Sequence, residues 1–72
     1  MKKLKKIKIK VNGKFQNINE TYKISDLVKD LKIPLKKVAI ELNQEIIDKK
    51  NIRKIYLKKD DKIEIVHFIG GG

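Results

Sequence analysis

The first strong pattern in the chain is an alternation of apolar and basic residues. Ile7, Ile9 and Val11 alternate with lysines. A period of two predicts a β-strand that buries one face and exposes lysine on the other. Asn12-Gly13 follows directly and is the strongest short signal for a hairpin turn. The sequence therefore predicts a β-hairpin near its start.

The returning strand of this hairpin has a less regular pattern. Phe15 begins it, but Phe15 and Ile18 are separated by an odd number of positions and so have opposite parity. A β-bulge or an early end of the strand would explain the change.

A helical pattern comes next. Apolar residues at i, i+3, i+4 and i+7 form one face of a short helix: Ile24, Leu27, Val28 and Leu31. We expect Ser25 to be the N-cap, with Asp26 favourably placed in the first turn. Pro34 is expected to stop the helix.

Two extended segments follow the helix. Val38, Ile40 and Leu42 alternate with Ala39 and Glu41, which predicts a third strand. The pair Asn43-Gln44 is the expected turn, and Ile46-Ile47 forms a brief fourth extended piece.

The last third of the chain is partly undecided. Residues 49–57 carry both helical and strand spacings, so the pattern does not choose between them. Asp60-Asp61 predicts a turn. Lys62 to Phe68 is the predicted last strand, with Ile63 and Ile65 on its core face.

This order of elements indicates the fold. One helix laid across a mixed sheet of four to five strands gives an α+β domain in two layers. With the last strand parallel to the first and beside it, the arrangement is a ubiquitin-like β-grasp. We expect one domain over residues 1–72, with 69–72 as a flexible glycine tail and Met1 to Lys6 as a second candidate tail.

Composition adds a strong positive charge. The net charge is +10, and all but one of the 19 basic residues are lysine. Such charge points towards nucleic acid or other anionic partners. Base recognition favours arginine, however, and only Arg53 is present. The joint bias to lysine, isoleucine and asparagine also follows from A+T-rich codons. We therefore interpret the lysines as solvated faces and do not favour a nucleic-acid partner.

Other function classes are limited by what the chain lacks. It has no cysteine, which excludes disulfides, thiol nucleophiles and thiolate metal ligands. Since no apolar run approaches the roughly 20 residues of a membrane span, no membrane partner is expected. The basic start lacks the features of a secretory leader, and we interpret it as neither signal peptide nor anchor.

Four blocks of the chain resemble the ThiS family, the sulfur-carrier proteins of thiamine biosynthesis. They are IKVNGK at 9–14, LVKDL at 27–31, VAIELN at 38–43 and DKIEIVHFIGGG at 61–72. The family often has glycine where this chain has Gln44, and Asp-Gly-Asp where it has Lys59-Asp60-Asp61. Asn43 and Asp60 are expected to absorb these changes, because Asn and Asp tolerate left-handed backbone.

The resemblance implies a function for the tail. The C-terminal glycine carboxylate would be adenylated with ATP, converted to a thiocarboxylate, and would donate sulfur to thiazole formation. The chain would be a protein cosubstrate rather than an enzyme, with no catalytic residue, bound cofactor or metal of its own. ATP would be used by the partner that activates it. The implied partners are a ubiquitin-activating-like adenylating enzyme, thiazole synthase and a sulfur donor such as a cysteine desulfurase system. A cytoplasmic location is expected.

The resemblance and the strand pattern together assign site residues. Gly72 is the expected point of sulfur attachment, and Ile69, Gly70 and Gly71 are the residues presented to a partner's active site. Val66 and Phe68 fall on the face opposite Ile63 and Ile65, beside Ala39 and Glu41, and are the expected docking residues: an exposed apolar pair next to a reactive tail is typical of a partner surface.

Three alternatives remain open at this point. The same chemistry could serve molybdopterin synthesis or tRNA thiolation. A small basic nucleic-acid-binding module would show steep salt dependence and no need for Gly72. The third alternative is a purely structural or designed ubiquitin-like domain.

Overall fold

Five strands and one α-helix make up half of residues 5–68, the part of the chain that the computed structural model describes. The strands are β1 (Lys6–Val11), β2 (Lys14–Asn19), β3 (Val38–Leu42), β4 (Glu45–Ile46) and β5 (Lys62–His67). The helix α1 spans Ile24–Asp30, and 3₁₀ turns cover Leu35–Lys37 and Lys49–Asn51. The strand order is β2-β1-β5-β3-β4, with β1 and β5 parallel and the other neighbours antiparallel. The predicted α+β architecture is confirmed.

The hairpin of β1 and β2 is regular, so the expected bulge or early strand end is wrong. The two strands pair without interruption from Val11 opposite Lys14 to Lys6 opposite Asn19. Lys6 therefore belongs to the sheet and not to a tail. The change of parity arises because Phe15 is 67% exposed on the outer face, the face turned away from the helix, whereas Ile18 is buried.

The helix begins earlier than the sequence suggested. Its N-cap is Lys23, not Ser25. Asp26, at the third helical position, accepts a hydrogen bond of 2.9 Å from the Lys23 backbone N–H, which satisfies a donor that the helix itself cannot. Leu31 lies past the helix end and is 45% exposed, so it is not part of the buried face.

The helix ends through its backbone before Pro34 is reached. Lys32 adopts a left-handed conformation with φ of 54°. Its N–H donates to the Lys29 carbonyl at 3.2 Å, and the Ile33 N–H donates to the Val28 carbonyl at 3.0 Å. This pair of bonds is the Schellman motif, in which the left-handed residue is usually glycine.

Buried apolar side chains from both layers form one core. Its members are Ile9, Val11, Ile18, Ile24, Leu27, Val28, Val38, Ile40, Ile52, Leu57, Ile63 and Ile65. The undecided segment 49–57 is a 3₁₀ turn followed by irregular chain, with an isolated bridge between Tyr56 and Lys23. It still supplies Ile52 and Leu57 to the core, so its burial does not depend on regular structure.

The backbone is left-handed in the two turns where the resemblance led us to expect glycine and this chain has another residue. Asn43 and Asp60 have φ of 52° and 69°, as expected. Gln44 is left-handed as well, with φ of 72°. Two successive residues with positive φ form the two-residue hairpin turn whose twist matches the strands it joins. For glutamine this conformation costs free energy, because its Cβ crowds the carbonyl oxygen.

Asn12 joins the first hairpin to the last strand. Its backbone N–H donates to the Ile63 carbonyl at 2.9 Å, after which the chain turns away. Its side-chain oxygen then accepts from the Ile65 N–H at 2.7 Å. In a parallel ladder the Asn12 carbonyl would take that bond. The side chain thus extends the β1–β5 ladder by one position beyond the end of β1.

We predict that Asn12→Gly lowers the free energy of unfolding by about 1–3 kcal/mol, the cost of leaving a part-buried Ile65 N–H without a partner. Glycine keeps the φ of 49° accessible, so the folded backbone stays unstrained, and the freer unfolded chain adds about 0.4–1 kcal/mol to the loss. Asn12→Ala should cost roughly 1 kcal/mol more, because alanine disfavours that φ. Urea denaturation measures both. Equal stability of Asn12→Gly and the parent would contradict the role of the side chain.

We also predict that Gln44→Gly and Lys32→Gly each raise the stability by about 0.5–1 kcal/mol. Relief of the left-handed backbone gains roughly 1–2 kcal/mol, and the freer unfolded chain offsets about 0.4–1 kcal/mol of that gain. Thermal unfolding should show an increase in Tm of a few degrees. Gly13→Ala is the control with the opposite sign: φ there is 83°, and the added Cβ meets no atom within 4 Å, so only the backbone changes.

Candidate functional site

The central strand β5 leads directly into the predicted tail. The Phe68 N–H donates to the Lys37 carbonyl at 2.9 Å, which keeps the chain beside β3 one residue past the strand. The predicted tail residues Ile69, Gly70, Gly71 and Gly72 lie outside the described residues. Four extended residues span roughly 13–14 Å, so a tail of this length can reach into another protein's active site.

The predicted docking residues lie on the outer face of the sheet. Val66 is 46% exposed and Phe68 is 54% exposed. Val66 lies directly opposite Ala39, as the strand parity indicated. Ile46 is 76% exposed and lies opposite Glu41, which places it on the same face. We call Ala39, Ile46, Val66 and Phe68 the outer-face patch.

Sequence reasoning missed Ile46 as a member of this patch. The signal that could have found it was the Asn43-Gln44 turn. A two-residue turn sets Leu42 opposite Glu45, and therefore Glu41 opposite Ile46. Because residues directly opposite each other share a face of the sheet, Ile46 must lie on the same face as Glu41.

A lysine lies close to the aromatic ring in this patch. The Lys49 Nζ lies 5.5 Å from the centroid of the Phe68 ring, within the range of a cation–π contact. Lys49 belongs to the 3₁₀ turn in the segment whose structure the sequence left undecided. Only the tertiary fold brings it to the last strand.

One edge of β5 is open next to the tail. Residues 61, 63 and 65 bond towards β1, since Lys10 N–H donates to the Asp61 carbonyl and Ile65 N–H donates to Asn12. Alternation directs the His67 backbone N–H and carbonyl to the same side, where β1 has already ended. The β1-facing side of β5 at His67 is thus available to a partner's backbone, and the His67 side chain is exposed.

Charge divides the outer face into bands. Lys6, Lys8 and Lys10 line β1, and Lys62 lies opposite Lys10. Glu41 and Glu64 face each other in the β3–β5 ladder, between this lysine band and the outer-face patch. The outer face therefore carries an apolar patch bordered by carboxylates, with a basic surface beyond them.

The described residues contain no obvious catalytic or metal centre. Within residues 5–68, no three His, Asp or Glu side chains come together as metal ligands. No helix in that part of the chain is long and apolar enough to cross a membrane. An open groove of about 730 Å³ lies on the helix side, lined among others by Lys23, Lys50 and Arg53. It contains no residue of the outer-face patch.

Tyr22 lies away from the tail, near the helix. Burial raises the pKa of its hydroxyl above the usual range, and a hydrogen bond from the hydroxyl to Asp30 raises it further. The hydroxyl therefore stays protonated at neutral pH and acts as a donor to the helix, not as a titrating group of the site.

Comparison with known proteins decides the family. The ThiS family model matches residues 7–72, which include all four sequence blocks and the glycines at the end. The chain belongs to the ThiS family. A crystal structure of thiamine biosynthesis protein ThiS from Geobacter metallireducens superposes with a TM-score of 0.79 at 29% identity, covering 92% of this chain and 100% of that one.

Two curated relatives bear on function. Sulfur carrier protein ThiS of Bacillus subtilis is 40% identical over 65 residues, which cover 89% of this chain and 98% of that protein. A thiazole synthase of Paramagnetospirillum magneticum is 36% identical over 66 residues, 92% of this chain. The chain spans only 20% of the length of that synthase. The resemblance to ThiS is thus confirmed.

Proposed function

We propose that this ThiS family member carries sulfur for thiazole formation as a thiocarboxylate on Gly72. Family membership supports a role as a small sulfur-carrier protein of thiamine biosynthesis rather than as a catalyst. The observation that supports the chemistry most is the family match, which runs through strand β5 and on to Gly72. The proposal requires the α-carboxylate of Gly72 to be free.

The chemistry needs two steps, because a carboxylate is a poor electrophile. In the first, a Gly72 carboxylate oxygen attacks the α-phosphate of ATP and pyrophosphate leaves. In the second, hydrosulfide attacks the acyl carbon of the adenylate and AMP leaves, which forms the thiocarboxylate. With a persulfide as donor, a thiol must in addition reduce the resulting S–S bond. Splitting one difficult substitution into two easier ones is the general logic of covalent activation.

The shape of the site suits a substrate of other enzymes. β5 is paired with β1 near its start and with β3 as far as His67, and the Phe68 N–H donates to Lys37, so the end of the strand has a defined place. Glycines lack Cβ atoms, so they fit a narrow channel and leave the acyl carbon open to attack. The activating enzyme supplies the ATP site, and thiazole synthase receives the sulfur. Similarity to one segment of a chain named thiazole synthase supports that second partnership. The use of ATP favours the cytoplasm.

The outer-face patch is the surface through which we propose that these partners recognise the chain. Val66 and Phe68 lie at the end of β5 that leads to the tail, so a partner that takes the tail also contacts this patch. The Lys49 contact reduces the freedom of the Phe68 ring before binding. A ring restrained in advance loses less entropy when it docks.

We predict that the chain gains sulfur at Gly72 when it is incubated with ATP, a ThiS-activating enzyme and hydrosulfide. Intact-mass spectrometry should show one oxygen replaced by sulfur. Deletion of Gly72 should abolish this change while circular dichroism stays the same. Bacillus subtilis ThiS serves as the positive control. Conversion of the control but neither adenylate nor thiocarboxylate on this chain would reject the proposal.

We predict that Phe68→Ala weakens binding to the activating enzyme about tenfold, as expected for loss of an aromatic anchor worth about 1.4 kcal/mol. Folding should be nearly unchanged, because Phe68 is 54% exposed. Phe15→Ala is the matched control: Phe15 is the other exposed phenylalanine of the outer face, but it lies in the lysine band. Calorimetric titration should give equal affinity for Phe15→Ala and the parent. Equal losses of affinity in both variants would argue against specific recognition through the outer-face patch.

A further inference from the structure

Strand β2 is an unguarded edge of the sheet. Edge strands are normally protected from pairing with other chains by lysines, prolines, bulges or short length. β2 is six residues long with the sequence KFQNIN, pairs with β1 without a bulge, and carries one charge, on Lys14. The chain as a whole has 19 basic and 9 acidic residues. The opposite edge, β4, is only two residues long.

The register of the hairpin shows which backbone groups point outwards. The Glu20 N–H donates to the Lys5 carbonyl at 2.9 Å, so Glu20 bonds towards β1. Antiparallel strands alternate these directions. Phe15, Asn17 and Asn19 therefore direct their N–H and carbonyl groups away from the sheet. The Asn19 carbonyl accepts a bond of 3.0 Å from the Tyr22 N–H, and the outward groups of Phe15 and Asn17 face solvent.

A mixed polar and apolar surface lies beside this edge on the helix side. An open depression of about 290 Å³ is lined by Gln16, Asn17, Tyr22, Asp30 and Leu31 among others, and Ile18 and Leu27, which also line it, are buried. Leu31 is the apolar helix-face residue that stays 45% exposed. A strand added to β2 would close the open side of this depression and shield Leu31 from water. The edge therefore offers backbone hydrogen bonds together with burial of the half-exposed Leu31.

We propose that two copies of this chain associate through antiparallel pairing of their β2 strands about a two-fold axis at Asn17. A two-fold axis perpendicular to the sheet requires paired residues to share a face. The residues that direct their backbone N–H and carbonyl groups away from the sheet are Phe15, Asn17 and Asn19. These residues must therefore form the hydrogen-bonded pairs between the two copies. Pairing Asn17 with Asn17 and Phe15 with Asn19 meets both conditions and uses all three residues. The result is a continuous sheet of ten strands.

Charge complementarity favours this register. It places Lys14 of each copy opposite Glu20 of the other, and both side chains are exposed in the single chain. Opposite charges directly across a strand pair are favourable, and like charges are not. The two-fold axis forms this pair of Lys14 and Glu20 twice. A second copy of the chain therefore fits the edge better than a strand that has no acidic residue opposite Lys14.

The high net charge opposes association but is screened at the seam. The lysines of β1 lie one strand in from β2, so Lys8 of one copy and Lys8 of the other are three strand spacings apart, roughly 14 Å. This exceeds the Debye length of about 8 Å at physiological ionic strength. Added salt screens the remaining repulsion between the two copies, so we expect it to strengthen the dimer. A non-specific ionic contact would instead be weakened by salt.

The dimer is compatible with the carrier role but independent of it. The seam lies two strands away from β5, so it leaves the outer-face patch uncovered. The two-fold axis reverses the strand direction, so the two tails leave at opposite ends. Each tail can then be presented to its own partner.

The test is sedimentation velocity of the full chain from roughly 10 µM to 1 mM, the range suited to a small interface. We expect a dimer that is stronger at about 0.5 M than at about 0.05 M NaCl. Asn17→Pro removes an outward N–H at the axis and leaves the β1–β2 ladder intact; it should weaken association at least about tenfold. If this variant fails to fold, Asn17→Lys places like charges at the axis with the same expected result. A monomer under all conditions, or a dimer unaffected by both variants, would overturn the proposal.

Charge exchange tests the register. Lys14→Glu and Glu20→Lys should each weaken the dimer about threefold to tenfold, and the double variant should restore it. Lys36→Glu is the control for Lys14→Glu: it changes the net charge equally, away from the seam, and should not weaken the dimer. Failure of the double variant to restore association would reject this register. Deletion of Gly72 should leave the dimer unchanged, so failure of the dimer and failure of sulfur loading are separate results.

Discussion

The position of β5 between β1 and β3 is the constraint on which the rest of the structure depends. This strand comes from the end of the chain, and one of its neighbours comes from the beginning. The parallel β1–β5 ladder is short, with only two residue pairs. The side chain of Asn12 lengthens it through its bond to Ile65, 53 positions away in the sequence. Without this bond, the parallel ladder would end where the Asn12 N–H donates to the Ile63 carbonyl.

Alternation along β5 gives this strand one buried face and one exposed face. One set of side chains, including Ile63 and Ile65, is buried against the helix layer. The other set, including Val66 and Phe68, is directed to the outer face. The same backbone bonds therefore hold the core together and determine where the outer-face patch and the origin of the tail lie. The proposed function needs this combination, since partners that act on Gly72 would have to find the start of the tail in a constant place.

The turns show how the chain manages without the glycines that its family often has. Asn43 tolerates a left-handed backbone, and its side chain also spans the gap between two turns. Its amide donates to Asp61 at 3.0 Å, and its oxygen accepts from the Lys62 N–H at 2.9 Å. These bonds offset strain at Gln44, which has no such contact among the side-chain hydrogen bonds of residues 5–68. The lost glycines thus affect stability more than the geometry of β5.

The sequence by itself determined the strands, the hairpin turns, the α+β class and the face of Val66 and Phe68, because periodicity and turn chemistry are local. Resemblance in four blocks also indicated the family. Only the tertiary structure decided that Asn12 bonds β5, that Lys49 contacts Phe68, and that Leu31 stays exposed beside β2. Those outcomes depend on which distant segments meet, and neither period nor propensity carries that information. The sequence pattern shows which face of an element is apolar, but packing alone decides how much of that face is covered.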